Sequence, residues 1–172
     1  MKSLLDTNFE KLRFLHEAIK KTWVHRQLDK ESFEAWKQAC QEFHSSFDRL
    51  AFPGGLSRAL TLLAEKDDEI IEQSVRFLEH DPFFFRSGYI KADILRHLRN
   101  CPLSEDQKRR LQEVIIARIY DTTRREFRWY CRLAKHITDG EFESKIEELA
   151  STKVPKMVAR QAGWVLAQLR ST

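Results

Sequence analysis

The segment from Arg124 to His136 carries the side chains of this chain that are best suited to binding. On a helix with 3.6 residues per turn its apolar residues gather on one broad arc. The other side then carries Arg124, Arg125, Arg128, Arg132, Lys135 and His136, with Trp129 at the border. A guanidinium can stack on an indole, and a tryptophan framed by arginines is typical of a binding anchor for a protein or a nucleobase. The alternative is that Trp129 packs under a neighbouring helix and the arginines form an ordinary solvated face.

A wider basic stretch surrounds this segment. Residues 86–136 contain 13 Lys and Arg against 6 Asp and Glu, whereas residues 1–85 contain 12 against 15. Arginine suits the bidentate recognition of carboxylates and phosphates, so one shared surface could bind an acidic protein or a phosphate backbone. Scatter of these charges around each helix, as solubility alone would produce, is the alternative. The residues predicted to bind the partner are Arg96, Arg99, Arg118, Arg125, Arg128, Trp129, Arg132 and His136.

The sequence shows no catalytic signature. It has no CxxC motif, no HExxH motif and no phosphate-cradling glycine loop. Asp93, His97 and Cys101 follow each other at intervals of four, a spacing that can bind metal or tune a proton donor. Cys101 precedes Pro102 at a helix end, and the sequence offers no candidate for a fourth ligand. A capping or surface role for these three residues is therefore the better interpretation. The sequence therefore predicts a protein that is not an enzyme and that holds no metal and no cofactor.

Apolar residues recur at spacings of three and four along almost the whole chain, which predicts helices throughout. A helix over residues 8–27 and a second over 30–50 are expected to form an antiparallel hairpin. The seam of the second helix consists of Phe33, Trp36, Cys40, Phe43, Phe47 and Leu50. Capping pairs predict several helix starts: Thr7 with Glu10, Ser104 with Gln107, Thr123 with Glu126, and Thr138 with Glu141. Asp29, and Asp67 or Asp68, are expected to start two further helices, and Asp81 to cap a single turn over residues 83–85. This pattern predicts about nine helices with short links.

The C-terminal hairpin resembles a HEAT-type repeat. In that family the second helix carries a branched aliphatic residue, a small residue four later, and Leu eight and eleven later. That spacing is matched by Val158, Ala162, Leu166 and Leu169, and in its first three positions by Ile70, Ser74 and Leu78. Ile90, Ile94 and Leu98 also fit the first three positions, with Ile94 in place of the small residue. The chain departs from the family at the turn Asp, where Ser151-Thr152-Lys153 stands, and at Ala159, where the family usually has Arg. The resemblance covers about a third of the chain and implies an α-solenoid whose broad surface usually binds proteins and sometimes nucleic acid.

Length and composition complete the prediction. The 172 residues, 42% hydrophobic and 33% charged, fit one soluble domain. Together with the helical periodicity this predicts an all-α domain, which the resemblance implies is a HEAT-like solenoid of stacked antiparallel hairpins. Residues 1–50 would be an N-terminal hairpin cap and residues 55–172 the HEAT-like array. Three widely spaced cysteines favour the reducing cytoplasm, and no stretch approaches the ~18 uncharged residues of a membrane span.

These patterns together predict a function as well as a fold. We expect a non-enzymatic interaction module, an adaptor or a neutralising partner, that recognises an acidic protein surface through its basic Arg/Trp face. It would act as a monomer or a homodimer. The alternative is a nucleic-acid-binding helical-repeat protein that uses the same basic patch.

Overall fold

The chain folds into helices joined by short links. The computed structural model describes residues 4–52, 54–82, 87–121, 124–151 and 153–171. Its helices are α1 (Leu4–Trp23), α2 (Lys30–Ala51), α3 (Leu56–Ala64), α4 (Asp68–His80), α5 (Ser87–Leu98), α6 (Glu105–Ile119), α7 (Phe127–Ile137), α8 (Gly140–Leu149) and α9 (Lys156–Leu169). No strand occurs in these ranges, so the predicted all-α class is confirmed. The chain divides into two compact units, the first ending at Leu62 and the second beginning at Leu63.

The first unit is built on the hairpin of α1 and α2, which pack along their lengths. Phe9 and Leu12 of α1 and Phe43 of α2 are buried. The rest of the predicted seam is less covered: Trp36 is half-buried and Phe33 is 44% exposed. Two helices alone cannot enclose a whole seam, so the burial is concentrated at its middle.

A tight turn links α2 to α3. The backbone at Gly54 and Gly55 has φ of 83° and 94°, a left-handed region that L side chains rarely adopt. A Cβ at Gly55 would lie 2.7 Å from the carboxylate of Asp48, so glycine is also needed for this close approach. The same carboxylate accepts a hydrogen bond of 2.9 Å from the backbone N–H of Leu56 and thereby caps α3.

In the second unit, helices two apart in the chain pack against each other. α4 contacts α6, α5 contacts α7, and α7 contacts α9. Consecutive helices also pack, in the pairs α4 with α5, α6 with α7 and α8 with α9. Buried aliphatic residues such as Leu98, Ile115, Ile146 and Val165 fill the spaces between them. Because α7 packs on both α5 and α9, its outward side is bordered by these two helices.

Ion pairs between helices add to this packing. The guanidinium of Arg110 on α6 donates two hydrogen bonds to Glu79 of α4, at 2.8 and 2.7 Å. Its remaining nitrogen lies 2.9 Å from Glu72, two turns earlier on α4. Burial alone would raise the pKa of Glu72, but hydrogen bonds from Arg76, Gln107 and Arg110 outweigh it and lower that pKa. Arg110 is therefore an internal bridge between α4 and α6.

Local capping confirms some of the predicted helix starts. Ser104 and Gln107 form the expected capping box before α6, with bonds of 3.2 and 3.1 Å. The carboxylates of Asp29 and Asp67 cap α2 and α4 by accepting from backbone N–H groups three residues later. Each of these starts depends only on residues within one turn, which is why the sequence alone reveals them.

Three other predicted starts are wrong. α1 begins at Leu4, which places Thr7 inside the helix. α8 is capped by Asp139 instead of Thr138, since a carboxylate is favoured over a hydroxyl beside the positive helix N-terminus.

The third of these starts is that of α7, which begins at Phe127, and Glu126 makes no capping hydrogen bond. A Cβ at Gly88 would lie 2.7 Å from the carboxylate of Glu126, so this side chain is directed at the first turn of α5. Thr123 lies outside the described residues.

Within the described ranges, no helix combines the length and the apolar character that crossing a membrane requires.

Candidate functional site

The sequence-predicted amphipathic character of α7 is present in the structure. Phe127, Tyr130, Cys131, Leu133, Ala134 and Ile137 are buried on one side. On the other side Arg128, Arg132, Lys135 and His136 are exposed, and Arg125 is exposed just before the helix. A helix held on one side by six buried residues is a rigid support for the charges on its other side.

Trp129 brings arginines from two helices together. It is half-buried at the border of the apolar arc. The guanidinium carbon of Arg132 lies 4.5 Å from its ring centroid, that of Arg128 5.4 Å and that of Arg96, on α5, 5.5 Å. These distances are within the range of cation–π attraction. The Trp129 ring is therefore partly covered, and it also has guanidinium groups of both α5 and α7 beside it.

His136 and Arg99 extend this surface. Burial, followed by the positive charges of Arg99 and Lys135, lowers the pKa of His136 below its ordinary value of 6.5. The imidazole is therefore mostly neutral at pH 7. Together Arg96, Arg99, Arg125, Arg128, Trp129, Arg132 and His136 form what we call the arginine face.

The arginine face is poorly neutralised by the protein itself. Arg96 is paired with Asp93 at 2.6 Å, and Arg125 donates to the hydroxyl of Tyr89 at 2.6 Å. Arg99, Arg128 and Arg132 have no ion pair with any carboxylate in the part of the chain that the structure describes. Adjacent cations without internal counter-charges create a local positive potential that attracts anions.

A groove between α7 and α9 borders the arginine face. Its volume is about 340 Å³. Phe127 and Cys131 contribute apolar surface from α7, and Trp164 and Gln168 contribute from α9. Four arginines complete the lining: Arg124, Arg125, Arg128 and Arg132. We call this cavity the Trp164 groove, since the Trp164 ring is 44% exposed and lies 6.2 Å from the ring of Phe127.

Trp164 and the groove are not among the residues predicted from the sequence, although a signal for them exists. Arg160 precedes Trp164 by four residues, and its guanidinium lies 5.3 Å from the Trp164 centroid. The buried residues of α9 are Val158, Gln161, Ala162 and Val165, so Trp164 falls outside the apolar arc. A tryptophan that is off the apolar face and one turn from an arginine is the same pattern that identified Trp129.

Arg118 is the one predicted site residue that the structure places elsewhere. Its guanidinium is paired with Asp81 and lies 3.3 Å from Asp121. Its side chain is mostly buried, because α6 directs it towards the interior of the unit. Other members of the basic stretch are likewise neutralised: Arg109 by Asp106 and Glu113 on its own helix, and Arg110 by the carboxylates of α4.

A buried charge cluster explains where Arg118 is held. Asp81 ends α4 with a left-handed φ of 42°, and its carboxylate accepts from Lys91, Arg118 and Arg124. Lys91 is fully buried, and burial lowers its pKa despite the nearby Asp81 carboxylate. The sequence suggested Asp81 as the cap of a following turn, but its side chain instead joins α4, α5 and α6. That turn, residues 83–85, lies outside the described residues.

The stripe of Asp93, His97 and Cys101 does not form a metal site in the described part of the chain. Asp93 is paired with Arg96. The thiol of Cys101 donates to the carbonyls of His97 and Leu63, at 3.3 and 3.5 Å, and burial raises its pKa. Among the residues that the structure describes, no group of three or more His, Cys, Asp or Glu side chains is placed to hold a metal ion.

Comparison of the chain with protein-family models, with curated proteins and with solved structures finds no match to any of them.

Proposed function

We propose that this protein is a non-enzymatic binding module, an adaptor or a neutralising partner, that recognises an acidic protein surface through the arginine face. The observation that carries this proposal is the convergence of Arg96, Arg128 and Arg132 on the ring of Trp129. Arg128 and Arg132 are exposed and have no described carboxylate partner. An incoming carboxylate can supply that partner in bidentate geometry.

We further propose that the second unit is a HEAT-like stack of α-hairpins. The packing of α4 on α6, of α5 on α7 and of α7 on α9 supports this, since stacked hairpins bring alternate helices together. In such a stack α5, α7 and α9 form one layer. The arginine face and the Trp164 groove belong to the helices of that layer, so a partner could contact all three.

Rigidity favours binding over chemistry at this surface. Arginine stays protonated in proteins and does not transfer protons, and His136 is the one histidine of the arginine face. Helix-mounted arginines lose little freedom when a partner binds, which leaves more of the contact energy as affinity. Positive potential also speeds the encounter with an acidic partner. Three free cysteines, of which Cys131 is buried, support a reducing, cytoplasmic setting.

Charge reversal tests the proposal. Immobilised wild-type protein, the variant Arg128→Glu/Arg132→Glu and the control Lys145→Glu/Lys153→Glu would be compared for the proteins they capture from the native host. The control changes the net charge equally at two exposed lysines outside the arginine face. We expect acidic proteins that bind wild type and control but not the reversed variant, and each must then bind as a purified protein. Equal capture by all three would contradict the proposal.

Nucleic acid is the second candidate, because a half-buried tryptophan among guanidinium groups can also stack on a base. Binding of random oligonucleotides is therefore measured over a range of salt concentrations. Sequence-independent binding that weakens steeply with salt and exceeds binding of every captured protein would favour nucleic acid. No oligonucleotide binding at low salt would remove this candidate.

A further inference from the structure

The Trp164 groove points to a narrower kind of partner than an acidic surface, and this inference rests on the proposed function. We infer that the groove receives one apolar side chain of a linear acidic segment, whose neighbouring carboxylates bind Arg128 and Arg132. The partner would thus be recognised through a short stretch of chain. A flat acidic surface, in contrast, would contact the arginines and leave the groove empty.

The charges of the lining require an anionic occupant. Four arginines line the groove and no carboxylate does. Arg124 is held by Asp121 at 2.8 Å, and Arg125 donates to Tyr89. Arg128 and Arg132 lie over the ring of Trp129 and have no carboxylate partner among the described residues. Two guanidinium groups one helical turn apart match two carboxylates on one short segment.

The other lining residues require an apolar group on the same occupant. Phe127 and Cys131 are 4% and 6% exposed, and the small surface that they contribute to the groove is apolar. Trp164 is far more exposed than Phe127, the other aromatic residue of the lining, and the two ring centroids lie 6.2 Å apart. Burial of an exposed indole by an apolar side chain of the partner is a common source of binding energy at interfaces. Carboxylates alone would leave this apolar surface in contact with water.

The size of the groove favours a single side chain. About 340 Å³ lies at the lower end of the volumes of small-ligand pockets, roughly 300–1,000 Å³. A folded surface is too broad to enter a recess of this volume, whereas one side chain that projects from a helix or an extended segment can enter it. Apolar anchors flanked by charges are the way in which grooves between helices read such segments.

Synthetic peptides test the inference directly. Peptide one is a fluorescein-labelled acidic 12-residue peptide with a central Leu, and peptide two has Gly in place of Leu. We expect peptide one to bind wild type about tenfold or more tightly than peptide two, as for an apolar group that fills a pocket. Trp164→Ala should remove this preference while retaining the salt-dependent binding of both peptides. Thermal melts of each variant establish that it is folded.

Two further variants separate the groove from the rest of the surface. Tyr120→Ala is the matched control, because Tyr120 is an exposed aromatic residue outside the arginine face and outside the lining of the groove; it should keep the preference for peptide one. Gln168→Phe places an aromatic ring in the groove and should abolish the preference for peptide one. This variant therefore tests the groove independently of whether Trp164→Ala folds. Arg128→Glu/Arg132→Glu should weaken both peptides.

The outcomes distinguish this inference from the proposed function. Equal affinity for the two peptides in wild type overturns the groove inference, while capture that depends on Arg128 and Arg132 still supports the acidic-surface function. No binding of either peptide at low salt also overturns it. Tighter binding of a single-stranded oligonucleotide than of peptide one, lost in Trp164→Ala, would assign the groove to a nucleobase instead.

Discussion

At the scale of single residues, Asp81 is notable because its one carboxylate forms ion pairs with three cations. Lys91, Arg118 and Arg124 come from three different parts of the second unit and meet at this side chain. Burying a charge is costly unless it is paired. The lowered pKa of Lys91 shows that burial acts against its charge even beside Asp81. The cluster therefore depends more on its shared anion than on any one of its cations.

This asymmetry gives a prediction on stability. Asp81→Asn should lower the free energy of unfolding by about 3–5 kcal/mol, since it removes the carboxylate paired with the fully buried Lys91, whereas Arg118 and Arg124 keep Asp121. Asn tolerates the left-handed backbone at this position, so the effect is one of charge. Lys91→Met should cost only about 1–2 kcal/mol, because Asp81 keeps two arginines and Met fits a long, narrow space. Urea unfolding of both variants measures this, and a larger loss in Lys91→Met would refute it.

His136 gives a prediction on the pH dependence of binding. Its pKa is lowered in the free protein by burial, Arg99 and Lys135. A bound carboxylate favours the protonated ring and raises that pKa, so binding takes up a proton. Affinity for an acidic peptide should therefore increase as pH falls from 7.5 towards 5.5, where carboxylates remain ionised.

The variant His136→Gln removes the titrating group. It should reduce the difference in affinity between pH 7.5 and 5.5 and leave affinity at pH 7.5 nearly unchanged. Anisotropy titrations at the two pH values, with melts at each to verify folding, provide the measurement. An undiminished pH dependence in His136→Gln would place the titrating group elsewhere.

At the scale of elements, the hairpin of α1 and α2 has a buried middle and open ends. Phe43 is 2% exposed and lies 6.0 Å from the ring of His16 and 5.8 Å from that of Phe47. Phe33, on the same predicted seam, is 44% exposed. Periodicity identifies the residues of a seam, but the length over which a partner helix covers them is a property of the packed pair.

The two phenylalanines therefore make a matched pair of variants. Phe43→Ala should reduce the free energy of unfolding by about 3–5 kcal/mol, as loss of a buried Phe does. Phe33→Ala should cost less than about 1 kcal/mol, as expected for a surface substitution in which little packing is lost. Chemical unfolding followed by circular dichroism measures both. Similar losses in the two variants would mean that Phe33 is covered in solution, for instance by a second copy of the chain.

The helices were predictable from the sequence. Their exact starts were predictable only where a hydrogen bond within the first turn caps the helix. The Ser104–Gln107 box and the Asp29 and Asp67 caps involve neighbours within one turn. The start of α7 depends instead on Glu126, whose carboxylate is directed at α5. No local pattern contains that long-range contact.

At the scale of the whole chain, the described part of the basic stretch contains two groups of arginines that differ in their partners. One is neutralised internally, through partners distant in sequence: Arg110 pairs with Glu72 and Glu79, and Arg118 with Asp81. The other is the arginine face. Net charge by segment predicts the total but cannot assign an arginine to either group, because the deciding carboxylates lie 31 to 38 residues away.

The arrangement of the site was partly predictable for the same reason. The outward side of α7 follows from periodicity, so Arg125, Arg128, Trp129, Arg132 and His136 were identifiable. The contribution of α9 was not, since a groove between α7 and α9 exists only after both helices have packed. The internal pairing of Arg118 was not predictable, because its position on α6 gives no information on the Asp81 carboxylate at the end of α4.

The most direct test of the central claim is an NMR titration of the isotope-labelled protein with a purified acidic partner. We predict shift changes concentrated on the exposed side of α7, in the side-chain Nε–H signals of Arg128 and Arg132, and in the indole N–H signals of Trp129 and Trp164. Lys145 and Lys153, the sites of the control variant, should be unaffected. Saturable changes centred on any other surface, with the Arg128 and Arg132 signals unmoved, would contradict the account.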